Sequence, residues 1–368
     1  MDAEAPRSRL QVTSHCADLA TELPFWNVTL GLQLLEIHPA DAPSTAVLEG
    51  HGLRLRLRQG EGPTLPELEL LSDDLRWDAW REAGPRSPGG TQVRVLPLRT
   101  PLELPQAVQA TVLTRAGTQA HWQVGRAGMR YRDLLPQRHG GAFIASHIRI
   151  VDGGPVPDYV HHHAIRFQMI FCRRGWVRVV YEGQGEPFVM EAGDCVLQPP
   201  HIRHRVLESS AGAEVVEIAG PASHLTQTDA AMSLPSPHRL PPDHLFGGQR
   251  FVRHQAARAP WQPWRLPGFE AQDTGIADAT AGLAGVRVLR PQASGSSSQR
   301  QAHDTELCLY YVLQGRLEAR LDEETVSLGE DDSMVLASGQ GYQFLQTSPD
   351  LRMLEVTLPA SFDVRTGA

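Results

Sequence analysis

Cysteine is scarce in this chain. Cys16, Cys172, Cys195 and Cys308 are the four that occur in 368 residues, widely spaced and without a CxxC pair. That argues against a disulfide framework and for reduced thiols in a cytoplasmic protein. Long apolar runs are missing too. No segment holds about eighteen consecutive apolar residues, and the opening MDAEAPRSRL has no apolar core, so neither a spanning helix nor a secretion signal is expected. Positive charge is in deficit: 34 Lys and Arg stand against 42 Asp and Glu, a net charge of −8. This disfavours nucleic acid or an anionic membrane as the main partner, and no basic patch or DNA-binding helix pair is evident. Aromatic residues make up 6%. Glycine (33) and proline (28) are abundant instead, which favours turn-rich β architecture over long helices. The length points to two or three domains.

The most informative stretch runs from Asp158 to Glu208, DYVHHHAIRFQMIFCRRGWVRVVYEGQGEPFVMEAGDCVLQPPHIRHRVLE. Two apolar, β-rich runs, 167–172 and 176–181, flank a turn at Gly175. Alternate strand residues face opposite sides, so His161 and His163 point one way and His162 the other. An HxH pair on a strand is a ready pair of imidazole ligands, and His204 on a later strand offers a third. Imidazole nitrogen suits zinc, copper, iron and nickel. The bland alternative is that these histidines are satisfied polar groups of the barrel; His162 and His201 are expected at the surface.

These residues resemble the motifs of the cupin superfamily. His161 and His163 match its HxH. Gln168 stands after four intervening residues, where the family usually has Glu, and Gly175 closes the first motif. Gly193, Pro199 and His204 match the second motif, with His201 in place of its usual Gly. The resemblance implies a double-stranded β-helix barrel holding one divalent transition metal on His161, His163, Gln168 and His204. Gln168 is either a fourth, neutral ligand or a hydrogen-bond partner of bound water. Fold alone does not settle activity, because cupins host oxygenases, isomerases, lyases, decarboxylases and binding proteins.

Strand parity sketches a pocket around that centre. Tyr159 shares parity with His161 and His163 and is placed at the mouth. Ile170 and Cys172 share parity with Gln168 and give an apolar wall, or plain barrel core. Arg166 is either a bidentate clamp for a substrate carboxylate or a solvated loop charge.

In chain order, residues 9–60 read as strand, helix and three strands, βαβββ. Residues 17–30 form the helix, which Pro24 should kink or split. ADLATELPFWNVTLGLQLLEI resembles the first half of the glyoxalase/bleomycin-resistance family through Asp18, Phe25 with Trp26, and Leu30 with Gly31. Gln11 stands where that family often has a metal histidine, so a structural or dimerising module is expected, and a homodimer is one possible assembly. Residues 61–140 are left as an unassigned α/β region. Residues 141–222 form the first barrel, 223–245 a polar linker, and 246–363 a second barrel that repeats the first. There Gln301, His303, Cys308 and Tyr342 replace the metal set, giving a degenerate second site. The expected fold class is therefore mainly β: two cupin double-stranded β-helix barrels preceded by a small α/β module.

Three-histidine cupins include iron dioxygenases acting on diketones, thiols and aromatic hydroxy acids. The resemblance thus implies a mononuclear metal-dependent oxidoreductase, a dioxygenase with Fe(II), acting on a small anionic or enolisable substrate. The alternatives are a non-catalytic small-molecule sensor, or a non-redox isomerase, cyclase or lyase using zinc, nickel or manganese.

Overall fold

A computed structural model describes residues 10–39, 42–98, 101–117, 121–125, 128–293 and 297–366. Arg9, expected to open the first strand, lies outside them. The chain divides into two units, Met1–Pro101 and Leu102–Ala368.

In the first unit the elements follow the expected order: strand Val12–Cys16, helix Leu19–Pro24, then strands Gln33–His38, Thr45–Gly50 and Leu53–Gln59. The first strand lies parallel to the last, which pairs in turn with Thr45–Gly50. Asp18 caps the helix by accepting from the Ala20 amide. The α-helix ends at Pro24. The chain widens there into a π turn over Phe25–Thr29, which seats the buried Trp26 with its indole donating to Glu22. A parallel pair, Glu67–Leu71 with Gln92–Leu96, completes this unit.

In the second unit, short runs of alternating inward and outward residues build two barrels, each a pair of facing sheets. The first barrel's larger sheet is centred on Phe167–Arg174, Ala213–Gly220 and Ile144–Ile150. Its other sheet contains Trp176–Tyr181, His204–Ser209 and His161–Ala164. The second barrel repeats this with Leu307–Gln314, Arg352–Leu358 and Gly285–Pro291, faced by Leu317–Leu321, Tyr342–Thr347 and Gln301–His303. Even the register repeats: His161 pairs with His204 as Gln301 pairs with Tyr342. Ile170 pairs with Glu217 as Tyr310 pairs with Glu355. A bulge follows Cys172 and another follows Val312.

Sheet membership departs from the boundaries read in the sequence. Leu225–Thr228, inside the expected linker, is a strand paired with His161–Ala164. Val252–His254, beyond the expected start of the second barrel, pairs with Cys195–Leu197 of the first. Val112–Thr114, from the unassigned region, pairs with Ser333–Val335 of the second barrel, while Arg130–Asp133 pairs with Ile144–Ile150 of the first. Each supplies hydrogen bonds to an edge strand, a tertiary need with no trace in local composition.

Three apolar cores result. One fills the first barrel around Cys172, Val179 and Met190. Another fills the second around Tyr310, Phe344 and Met353. The third joins the barrels, with Phe143, Phe167 and Phe171 against Val286, Tyr311 and Leu354, and Trp261 packed on it. Burying one such side chain contributes about 1.5–3 kcal/mol.

Candidate metal centre

Strand alternation and register bring the three expected histidines together. His161 and His163 are buried inside the first barrel, and His204 lies across the ladder from His161. Ring centroids are 4.3 Å apart for His161 and His204, 5.2 Å for His161 and His163, and 5.3 Å for His163 and His204. One potential ligand atom from each lies within 4.8 Å of the other two. His162 turns the other way, toward His201.

The opposite edge of each ring is held by the chain. The His161 Nδ1 lies 2.8 Å from the Tyr159 carbonyl and the His204 Nδ1 lies 3.0 Å from the Ile202 carbonyl. A carbonyl only accepts, so Nδ1 carries the proton and Nε2 is the basic nitrogen. The His163 Nδ1 sits 2.9 Å from the Thr226 hydroxyl.

Gln168 lies buried beside them. Its amide nitrogen donates to Glu217 Oε1 at 2.6 Å, while its own Oε1 is buried with no protein partner. An ionised carboxylate only accepts, so this contact fixes which way the amide faces. A buried acceptor left unmatched costs about 1–3 kcal/mol. Three converging imidazoles and an orphaned amide oxygen fit a divalent cation. They fit equally a cation-bound water held by the amide, the two roles the sequence left open for Gln168.

An adjoining cavity of about 220 Å³ is walled by Met129, Ile148, Ile150, Ile170, Val179 and Val215. Its polar lining includes His163, His204, Gln168, Gln198, Glu217 and His224. Gln198 donates to the Tyr181 hydroxyl at 2.9 Å, and burial pushes the Tyr181 phenol well above its ordinary range. An apolar cavity of about 150 Å³ admits benzene, so this one has room for a single substituted ring. Arg205 lies along the same wall. It pairs with Val180, however, out of phase with His204 and Tyr181, so alternation puts its side chain on the other face.

The remaining expected pocket residues divide. Ile170 lines the cavity. Cys172 does not: it sits in the barrel core, where burial pushes its thiol up to about 12. Tyr159 is 45% exposed and meets the centre through its carbonyl and the edge of its ring rather than as a cavity wall. Arg166 is neither free beside the cavity nor a solvated loop charge. Its guanidinium grips Glu306 of the second barrel in bidentate fashion, at 2.7 and 3.2 Å. The regular strand begins one residue later, at Phe167, so the parity assumed for Arg166 does not apply.

Among the described residues, several of this site escaped the sequence reading, Glu217, His224, Thr226 and Gln198 among them. Glu217 did leave a signal, a lone carboxylate inside the apolar run VVEIA. His224 and Thr226 left none, because they lie in the stretch whose composition reads as a linker.

In the second barrel the corresponding centre is filled by the protein itself. The Arg265 guanidinium enters from a loop and donates to Glu355 at 2.8 Å, Tyr310 at 2.9 Å and Gln301 at 3.3 Å, and lies 3.5 Å from the Tyr342 hydroxyl. Burial and this arginine hold His303 down to about 4, and burial pushes Cys308 up to about 12. Gln301, His303, Cys308 and Tyr342 therefore surround a built-in cation.

A further group, His147, Glu214 and Asp331, also lies within 4.8 Å. Arginines already occupy its acceptors: Arg149 on Glu214, Arg173 on Asp331, and Arg132 on the His147 Nδ1. Tyr311 donates to Asp331 at 2.6 Å. This group is a polar seam between the barrels.

The cupin domain family matches residues 288–357, in the second barrel rather than the one with three histidines. A salicylate 1,2-dioxygenase from Pseudoaminobacter salicylatoxidans, in complex with gentisate, is similar in structure at 16% identity, with a TM-score of 0.54. The match covers 72% of this chain and 88% of that one. The oxalate decarboxylase of Lactobacillus farciminis, as a formate complex, matches at 11% identity and a TM-score of 0.51, covering 68% and 87%. That of Bacillus subtilis matches at 14% and 0.51, covering 72% and 82%. This is a cupin-like fold. No curated protein sequence matches the chain. At these identities the structural likeness speaks for the fold and not for the activity. The glyoxalase/bleomycin-resistance resemblance of residues 9–60 gains no support from these comparisons.

The contact between Gln168 and Glu217 decides what Gln168→Glu would do. A carboxylate there would face Glu217 at hydrogen-bond distance. With the charge centres about 4 Å apart and an effective dielectric near 20, the two repel by about 4 kcal/mol. Gln168→Glu is expected to lower the urea midpoint clearly, and the exchange Gln168→Glu with Glu217→Gln to restore it by rebuilding the bond in reverse. Equal midpoints for all three proteins would show that the pair is open to solvent.

Proposed function

We propose that the first barrel is a mononuclear metal centre and that the protein is a dioxygenase acting on a small, enolisable or hydroxylated single-ring substrate. The observation that carries this reading is the convergence of His161, His163 and His204 beside an orphaned amide oxygen and a ring-sized apolar cavity. Fe(II) is the favoured ion, with zinc, nickel and manganese open to the same donors. The bound ion would supply Lewis acidity and open positions for substrate and dioxygen. The chain's own part is binding and orientation. The Tyr159 and Ile202 carbonyls and the Thr226 hydroxyl keep the imidazoles turned inward. The isoleucine, valine and methionine walls exclude water and select a flat apolar body.

Of the two substrate classes expected from the sequence, anionic and enolisable, the enolisable one fits better, and a hydroxylated ring belongs with it. Arg166 is committed to Glu306, and among the described lining residues the single arginine, Arg205, is out of strand phase with His204 and no lysine accompanies Glu217. The four cysteines, all buried and unpaired, suit a reducing cytoplasm. A small molecule is the proposed partner.

The test is anaerobic purification with elemental analysis, followed by oxygen uptake with Fe(II) across diketones, thiols, salicylate and hydroxylated benzenes. Near one iron per chain and oxygen uptake with at least one enolisable compound are expected. Zinc, nickel or manganese without oxygen uptake would instead indicate an isomerase, cyclase or lyase, and no stoichiometric metal would indicate a binding protein.

A further inference from the structure

His224 is the cavity imidazole that the metal reading leaves unused. It lines the cavity and stands edge-on to His163, with ring centroids 5.2 Å apart and planes at 85°. It does not belong to the group whose ligand atoms all lie within 4.8 Å. Its Nδ1 lies 2.9 Å from the Pro221 carbonyl. By the same argument as for His161 and His204, Nδ1 bears the proton and Nε2, on the opposite edge of the ring, is the acceptor.

The position of His224 is fixed by the strand that follows it. Leu225–Thr228 pairs with His161–Ala164, setting Thr226 opposite His163 and Leu225 opposite Ala164. The Thr226 hydroxyl meets the His163 Nδ1. One short strand thus orients a metal ligand and, one residue before its start, presents a second imidazole to the same cavity. Two of the donors there are already engaged, the Gln168 amide nitrogen by Glu217 and the Gln198 amide nitrogen by Tyr181.

We propose that His224 is a specificity-determining residue of this cavity, its Nε2 accepting a hydrogen bond from a hydroxyl group of a ligand bound at the His161, His163 and His204 centre. The proposal rests on the metal reading of that centre. It assigns a contact to substrate and no role in holding the ion.

4-Nitrocatechol is a suitable probe, a hydroxylated ring of the right size whose absorbance reports its binding. It would be titrated into the zinc-loaded parent protein, His224→Leu and His224→Gln, with zinc content measured in each. Equal zinc content in all three is expected. Loss of one hydrogen bond weakens binding by about tenfold, so His224→Leu should show about a tenfold higher Kd. Glutamine keeps an acceptor oxygen and should stay within about threefold of the parent. An unchanged Kd in His224→Leu, or zinc loss in that variant, would overturn the role given to His224. So would equal probe binding by the parent with and without zinc, although the metal reading would survive that outcome. A parent protein that takes up no zinc would remove both.

Discussion

Replacing Arg265 with methionine is expected to destabilise the protein by about 3–5 kcal/mol, the cost of leaving a buried charge unpaired. Glu355 is fully buried, and Arg265 supplies its positive partner. Methionine keeps much of the volume but leaves the carboxylate facing Tyr310 and apolar core. The double replacement Arg265→Met with Glu355→Leu should recover most of the loss, because removing both charges is far milder than removing one. The expected residue is about 1–2 kcal/mol, from the tyrosine and glutamine groups that lose the guanidinium. Urea midpoints at constant m would measure both steps. A single variant within 1 kcal/mol of the parent would mean that water reaches Glu355 and that the arginine is not acting as a fixed internal cation.

Replacing both His161 and His204 with alanine should bring metal content to near zero while the fold survives. Each contributes one imidazole to a three-imidazole centre, and a single remaining imidazole holds an ion far more weakly. The barrel itself is held by its apolar cores, which these side chains do not supply. Elemental analysis gives the first half of the result and the thermal transition the second. Unchanged metal content in the double variant would move the ion elsewhere, and a collapsed transition would make the histidines structural.

The two barrels and the three histidines were legible because their signals are local and periodic. Alternation set the faces of His161 and His163, and glycines at turns set the spacing to His204. The duplication could be read because Gly315 follows Leu307–Gln314 as Gly175 follows Phe167–Arg174, both at positive φ, 79° and 70°. What failed depends on partners far away in sequence. Arg166 reads as a clamp or as a solvated loop charge until Glu306 is seen beside it. Arg265 carries no mark of its destination in a loop rich in tryptophan and proline. The strand Leu225–Thr228 is polar and short, and it exists because the His161–Ala164 edge needs hydrogen bonds. Glu217 is the instructive middle case. Its sequence context announces a buried carboxylate, but not that Gln168 is its partner.

The edge strands exchanged along the chain also bear on how the protein is made. Val112–Thr114 leaves the ribosome before any of the first barrel, yet its partner, Ser333–Val335, is about 220 residues further on. At roughly 5–20 residues per second, that partner arrives roughly 10–40 s later. Throughout that interval the segment lacks its native partner while the first barrel can form. An unpaired strand is a template for pairing with other chains. The nascent protein is therefore exposed to association during synthesis in a way the finished one is not.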